Sequence, residues 1–180
     1  MSVYKFGALD GVAHIWPDVW SVEKTTGPKR LVAAPSSGHV DLLIELSRVL
    51  PEPFGILYVL MTPRMGHQCG RYQCPEPIDR ATVGSFLHQF EEYFENDGRH
   101  HVWLMSLPRE DTIVYDNHNV IYAYGPLRKY RKIIKARGLK KGSTRFPVPH
   151  VHCYNDCYDA DEDRVMSYWE WRWSALADDE

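Results

Sequence analysis

Three short apolar segments in the second half of the chain, joined by very short connections, constrain the fold most. They span residues 101–107, 112–115 and 120–124, and they are rich in the β-branched and aromatic residues that favour strands. The two connections, residues 108–111 and 116–119, are too short for a helical crossover. The sequence therefore predicts that the three strands are antiparallel neighbours in one sheet.

A further strand and two helices are predicted before this group. Residues 54–61 form an apolar run bounded by prolines, which predicts a strand that is covered on both faces and is central in its sheet. Two sets of apolar residues recur at helical spacing on either side of this run, namely Leu42, Leu43, Leu46, Val49 and Leu50, and Val83, Phe86, Leu87, Phe90 and Phe94.

The C-terminal third predicts one amphipathic helix and a less regular tail. Pro126 can begin the helix and Gly138 can end it, with a buried stripe formed by Leu127, Tyr130, Ile133 and Ile134. In the tail, the acidic residues 159–163 can open a short helix, and Trp169, Trp171 and Trp173 then alternate with polar residues as in an extended segment.

These elements together predict an α+β fold with a mixed, largely antiparallel central sheet and two to four packed helices. Residues 1–35 predict only short strands or loops. Because 44% of the residues are hydrophobic and 25% are charged, the chain is globular in composition, and we expect a single globular domain spanning residues 1–180.

The sequence also predicts a cytoplasmic protein with no membrane segment. The start of the chain lacks a basic leader followed by an apolar run. The longest apolar run, residues 54–61, is far shorter than the ~20 residues that a spanning helix needs. The four cysteines are then expected to be thiols or metal ligands rather than disulfides.

The chain holds two clusters of potential metal ligands. The segment 150–157 contains His150, His152, Cys153 and Cys157, and in an extended segment two histidines that lie two residues apart project from one face. His67 and Cys69 form a second cluster in the loop after the buried strand. A zinc site would need that loop, or His118, to close on the first cluster, because the spacing lacks a CxxC pair. The alternative is a buried structural loop without a cofactor.

Candidate catalytic groups are few. Catalysis without a metal needs a nucleophile beside a base, and the pairs available are Cys153 with His150 or His118, and Asp116 with His118. The sequence around residues 116–119 is also ordinary turn chemistry. Whether the protein is an enzyme is therefore left open.

The net charge of −3 conceals an uneven distribution of charge. The basic residues of segment 128–145, which contains no acidic residue, are Arg128, Lys129, Arg131, Lys132, Lys135, Arg137, Lys140, Lys141 and Arg145. This segment predicts a solvated helix face, a face paired with the acidic tail, or a surface for a partner, with Arg128, Lys129, Arg131, Lys132 and Lys135 as the candidate contacts.

No motif of kinases, hydrolases, zinc enzymes, redoxins or nucleotide-binding proteins fits enough of the chain to name a family. The interpretation that asks least of unconfirmed geometry is a non-catalytic protein-interaction module, partner-binding or immunity/adaptor-like. The first alternative is a metal-dependent hydrolase that uses the His/Cys cluster. The second is nucleic-acid binding through the basic helix 127–145, which the pI of about 6.3 disfavours. The sequence does not fix the oligomeric state.

Overall fold

In a computed structural model, which describes residues 3–176, eleven strands form one nine-stranded sheet and one two-stranded sheet. The strands are β1 (Phe6–Gly7), β2 (Val19–Glu23), β3 (Arg30–Ala34), β4 (Phe54–Leu60), β5 (Gly70–Gln73), β6 (His100–Ser106), β7 (Asp111–Tyr115), β8 (Ile121–Tyr124), β9 (Lys140–Lys141), β10 (Val151–His152) and β11 (Arg172–Ser174). The helices are α1 (His39–Ser47), α2 (Arg80–Gln89), α3 (Glu91–Asn96), α4 (Leu127–Ala136) and α5 (Asp159–Met166), with a 3-10 turn at Asp156–Tyr158.

The large sheet has the strand order β11-β5-β4-β6-β7-β8-β3-β2-β9. All of its neighbouring pairs are antiparallel except β2 and β9, which run parallel. The predicted antiparallel group is β6, β7 and β8, in which Val102 is opposite Tyr115 and Ile113 is opposite Ala123. The prediction of an α+β fold with a largely antiparallel sheet is confirmed.

The helices and the main core lie against one face of this sheet. Helices α1, α2 and α4 pack on strands β3, β4, β7 and β8, and alternate strand residues such as Leu31, Ile113 and Ala123 are fully buried there. Helix α2 begins at Asp79, whose side chain accepts a hydrogen bond from the backbone N–H of Thr82, as its sequence position predicts.

The opposite face of the sheet is only partly covered. Near the N-terminus, Phe6 and Trp16 pack with Val32, Ala34 and Val120 in a second, smaller core. Strand β1 pairs with β10 in a separate two-stranded sheet, with Phe6 opposite His152. These contacts bring segment 146–152 over the turn between β7 and β8, and they leave a shallow cleft open farther along the sheet.

Two details of the sequence prediction are wrong. The basic helix 127–145 is shorter, because α4 ends at Ala136, Gly138 adopts a left-handed φ of 87°, and β9 then pairs with β2. Strand β4 is internal to the sheet, as predicted, but it is not covered on both faces. Its residues Gly55 and Leu57 are half-buried and line a hollow on the open face.

The tail follows the predicted order, with α5 leading into the short edge strand β11, which pairs with β5. Trp169 and Trp171 pack against the main core, whereas Trp173 is exposed. Within residues 3–176, no helix combines the length and the apolar character that crossing a bilayer requires.

Candidate metal site

His118 lies in the tight turn between β7 and β8, and the turn fixes its ring. Asp116 Oδ1 accepts hydrogen bonds from the backbone N–H groups of His118 and Val120, which is the turn chemistry that a short Asp-containing connection favours. Asp116 Oδ2 lies 3.0 Å from His118 Nδ1. Trp16 Nε1 donates to the carbonyl oxygen of His118 at 2.8 Å, which ties the turn to the N-terminal segment.

His150 and His152 reach the same place from the other side. His152 belongs to β10, which is held by its pairing with β1, and His150 precedes that strand directly. His150 Nδ1 lies 3.0 Å from the carbonyl oxygen of Pro147. One ring nitrogen from each of His118, His150 and His152 lies within 4.8 Å of the other two.

The hydrogen bonds around these rings determine which nitrogens carry protons. A carbonyl oxygen only accepts, so His150 Nδ1 must be the N–H that donates to Pro147. Asp116 as a carboxylate also only accepts, so His118 Nδ1 carries its proton as well. In the neutral rings both Nε2 atoms then present lone pairs, and these two atoms are 3.1 Å apart. Such an arrangement calls for a cation, either a shared proton or a metal ion.

The pKa values of two groups support this assignment. Burial alone would raise the pKa of Asp116, but the hydrogen bonds from His118 and from the backbone N–H of Val120 help to hold it below its usual value. Burial lowers the pKa of His152 to about 4, and His118 and His150 add to that effect. Asp116 is therefore an anion and His152 a neutral ring at neutral pH. His152 Nδ1 is buried and has no hydrogen-bond partner.

Two phenylalanines surround the histidines with apolar surface. Phe146 stacks on the ring of His118 with a centroid distance of 4.1 Å and an interplanar angle of 10°. Phe6 meets the rings of His118 and His150 edge-on at 5.3 and 6.0 Å. The His118 side chain is still 15% exposed, so a small molecule can reach the ligand nitrogens.

The cysteines and His67, all predicted as metal ligands, lie apart from this cluster. His67 Nε2 is bound by Asp163 Oδ1 at 2.7 Å. Cys69 and Cys157 are exposed, and the partly buried Cys153 lies beside the hydroxyl of Tyr4. Within the described part of the chain, His118, His150 and His152 form the one set of three His, Cys, Asp or Glu residues whose ligand atoms converge this closely.

The candidate catalytic residues divide in the same way. Asp116 and His118 are joined by a hydrogen bond, as their spacing predicted, while Cys153 is in contact with Tyr4 and not in the histidine group. The supporting roles of Phe6, Trp16 and Phe146 and of the Pro147 carbonyl were missed by the sequence interpretation. Only the proximity of Phe146 and Pro147 to His150 in the sequence hinted at them.

The candidate partner-binding residues lie on a separate surface. Arg128, Lys129, Arg131, Lys132 and Lys135 are all exposed on α4. Among residues 3–176, no ion pair joins this surface to the acidic tail, and Asp156, Asp159 and Glu162 bind Arg64 and Arg99 instead. Tyr130, part of the predicted buried stripe, is completely buried.

A cleft on the open face of the sheet adjoins the histidines and was also missed. It encloses about 650 Å³, and Asp116 forms part of its wall. Its lining alternates along β6 and β8, where His101, Trp103, Tyr122 and Tyr124 point to one face. This alternation of side chains is visible in the sequence. It indicates an open cleft only once the residues between the lining residues are known to be buried on the other face of the sheet.

Comparison with known proteins adds no relative from which a function could be carried over. No protein-family model, no curated protein and no solved structure matches this chain.

Proposed function

We propose that this protein is a metal-dependent hydrolase whose ion, zinc in the first instance, is held by His118, His150 and His152. The observation that carries the proposal is the pair of Nε2 lone pairs, 3.1 Å apart, with His152 beside them. Tetrahedral zinc bound at 2.0–2.1 Å by imidazoles places its ligand nitrogens about 3.3 Å apart. The observed separation therefore suits two ligands of one ion.

The hydrogen bonds of His118 and His150 resemble those that orient metal-bound histidines in general. Such histidines usually donate their second ring N–H to a carboxylate or a backbone carbonyl. Here Asp116 serves His118 and the Pro147 carbonyl serves His150. Both rings are thereby held in the tautomer that leaves Nε2 available as a ligand.

Three neutral nitrogen ligands leave a fourth coordination position for water or substrate. A zinc ion in such a site lowers the pKa of bound water to about 7, which supplies hydroxide at neutral pH. Held by His118, His150 and His152, such an ion would activate a water for hydrolysis of an acyl or phosphoryl compound, in which the water oxygen bonds to the acyl carbon or phosphorus while the leaving group departs with the proton. The contacts of Phe6 and Phe146 limit the water around the ligands, which strengthens electrostatic interactions there.

The decisive experiment measures metal content and metal-dependent stability. Protein purified without a metal-affinity column should contain, or should take up, about one equivalent of zinc or a related divalent ion. Added metal at 100 times its Kd should stabilise the fold by about 2.7 kcal/mol. His150→Ala should abolish both effects. His14→Ala is the matched control, because His14 also packs against Phe6 but lies outside the converging group. Less than about a tenth of an equivalent, with no stabilisation by added metal, would instead show that the two rings share a proton.

A non-catalytic protein-interaction module remains the second candidate, and the surface of α4 favours it. Within residues 3–176, Arg128, Lys129, Lys132 and Lys135 enter no ion pair, and Arg131 has only a distant contact, 6.0 Å from the ring of Trp20. A purified tagged protein should then retain an acidic protein partner in stoichiometric amount, and a variant with Lys129, Lys132 and Lys135 changed to Glu should lose it.

Nucleic-acid binding through α4 is the less favoured use of the same surface. It would show an affinity that falls steeply with salt, and a flat salt response would exclude it. We propose a cytoplasmic location for either function, in keeping with four cysteines that are all free thiols.

A further inference from the structure

The open face of the large sheet presents a cleft of about 650 Å³ beside the candidate metal site. This volume lies within the range of small-molecule sites, which is about 300–1,000 Å³. Asp116 joins the two features, because it orients His118 and also lines the cleft. Tyr122, another lining residue, donates its hydroxyl to Asp116 Oδ2 at 3.4 Å.

Both donors and acceptors line the cleft. Glu110 is an exposed carboxylate, and Asp116 is already occupied by His118, Val120 and Tyr122. Trp103 Nε1 is a buried donor without a partner, and His101 Nε2, also buried and without a partner, donates or accepts according to its tautomer. An anion in the cleft therefore depends on a lining cation such as Arg30 for an opposite charge.

Arg30 adds a cation whose position is fixed. Its guanidinium lies 4.1 Å from the ring centroid of Tyr122, Nη1 donates to Tyr124 Oη at 3.0 Å, and Nε and Nη2 donate to Glu23. Three of the five N–H groups of Arg30 are used in this way, so two are left for a ligand. The hydrogen bonds to Tyr124 and Glu23 outweigh its burial and keep the pKa of Arg30 above its usual value, so the charge is retained.

The remaining walls are flat and apolar. Trp103 and Tyr124 contribute aromatic surface to the cleft. Trp103 also borders a second hollow of about 90 Å³, whose other walls include Leu57, Met105 and Leu107. Arg30, on β3, thus lies on one side of the cleft, and Trp103, on β6, borders the apolar hollow on the other side, which matches a ligand with one charged group and one ring.

We infer that this cleft binds the substrate of the metal site and that the substrate is a small anion carrying a flat ring, such as an aryl phosphate or an aromatic carboxylate derivative. Its acceptor oxygens lie against Arg30, and its ring lies against Trp103, toward the apolar hollow. Hydrolysis of this ligand rests on the proposed function, but its binding in the cleft needs no metal.

Calorimetric titration of the metal-free protein tests the inference separately from the metal site. Phenyl phosphate and benzoate distinguish the two kinds of anion, phenol supplies the ring without the charge, and inorganic phosphate supplies the charge without the ring. We expect one of the two ring-bearing anions to bind at least about tenfold more tightly than both phenol and phosphate, a difference of about 1.4 kcal/mol. Equal binding of phenol, or no binding of either ring-bearing anion, would overturn the inference.

Variants locate the binding. Arg30→Gln should weaken the tighter anion by about tenfold, and the matched control Arg131→Gln, which changes an exposed arginine on α4, should leave its affinity unchanged. If Arg30→Gln does not fold, Trp103→Leu keeps apolar volume but removes the aromatic surface, and it should weaken binding of the ring-bearing anion severalfold. Equal weakening by Arg131→Gln, or none by Trp103→Leu, would place the anion elsewhere.

The two proposals can fail independently. Zinc binding without binding of a ring-bearing anion would refute the cleft and leave the metal site in place. Binding of the anion through Arg30 without zinc would refute the metal-dependent hydrolase and leave a binding cleft.

Discussion

Two of the histidine–carboxylate pairs, His118 with Asp116 and His67 with Asp163, are chemically alike but use the ring differently. Asp116 takes the Nδ1 hydrogen of His118 at 3.0 Å and leaves Nε2 facing two further histidines. Asp163 takes Nε2 of His67 itself at 2.7 Å, and its side chain is half exposed. A histidine beside a carboxylate thus becomes a candidate ligand only when its second nitrogen converges with others.

The surroundings of two buried cations extend the comparison. On the His67 side of the molecule, the fully buried Arg99 is bound by Asp97, Asp159 and Glu162. Lys5 is adjacent to β1, beside the histidine site, and is equally buried, but its Nζ donates to the carbonyl oxygen of Phe94 and lies 3.9 Å from the ring centroid of Tyr115. Within the described residues no ion pair includes Lys5. Arg99 is thus neutralised by carboxylates in direct contact with it, whereas the close partners of Lys5 in the described part of the chain are a carbonyl oxygen and an aromatic ring.

The largest expected difference between the two histidines is in metal binding. His118→Ala should remove one of three ligands and eliminate stoichiometric zinc binding, whereas His67→Ala should leave the stoichiometry and the affinity unchanged. Elemental analysis and titration calorimetry of both variants provide the measurement. Loss of zinc in His67→Ala would mean that the ion lies in the loop after β4.

The next largest expected effect concerns the buried cations. Burial lowers the pKa of Lys5 to about 7, against the opposing charges of Asp116, Asp97 and Glu95. The unfolded chain therefore binds more protons between about pH 7 and pH 10.5, and the free energy of unfolding should rise with pH over that interval. Lys5→Met should remove this rise, so the difference in the free energy of unfolding between the unaltered protein and Lys5→Met should change by about 4 kcal/mol from pH 6 to pH 10. Denaturant unfolding at several pH values measures it.

The control for this experiment is Lys129→Met, which changes an exposed lysine on α4. Its free energy of unfolding should follow that of the unaltered protein at every pH. If Lys5→Met and the unaltered protein gave parallel curves, Lys5 would be charged in the fold at neutral pH, and the contrast with Arg99 would be lost.

A smaller effect should distinguish the two carboxylates. Asp116→Asn keeps the size of the side chain but removes the charge that orients His118, so we expect zinc affinity to fall by about 10- to 100-fold. Asp163→Asn should not change the affinity. Competition with a chelator of known strength measures both. Equal affinities for all three proteins would show that Asp116 has only a structural role in the turn.

The smallest expected effect concerns the ring that covers His118. Phe146→Leu retains apolar volume but removes the stacked contact, and a loss of about 0.5–1 kcal/mol of ring interaction corresponds to a decrease of roughly two- to fivefold in zinc affinity. Phe90→Leu, in the main core and away from the histidines, is the matched control and should change stability without changing zinc affinity. A decrease of the same size in both variants would point to general loosening of the fold.

Much of the fold could be predicted because it depends on patterns within short segments. The strands β6, β7 and β8 and the helices α1 and α4 follow from the spacing of apolar residues and from the length of connections. The end of α4 near Gly138 was predicted from that glycine. The pairing of β9 with β2 could not be predicted, because it depends on contact between Lys140 and Val19, which are far apart in the sequence.

The candidate site was predictable in its parts but not as a whole. His150 and His152 share a face because an extended segment alternates its side chains, and Asp116 and His118 meet because a tight turn brings them together. The sequence also offered His118 and the His67–Cys69 cluster as alternative partners for His150 and His152. Local spacing cannot choose between them.

The sequence alone determined an α+β chain with a meander at its centre and two separate histidine groups, since these features depend on neighbouring residues. Tertiary structure decided which histidines meet. The pairing of β1 with β10 and the bond from Trp16 to the His118 carbonyl bring residues 118 and 150 together, while Asp163 occupies His67. The physical reason is that a metal site needs nitrogens within a few ångströms, and that distance is set by long-range packing.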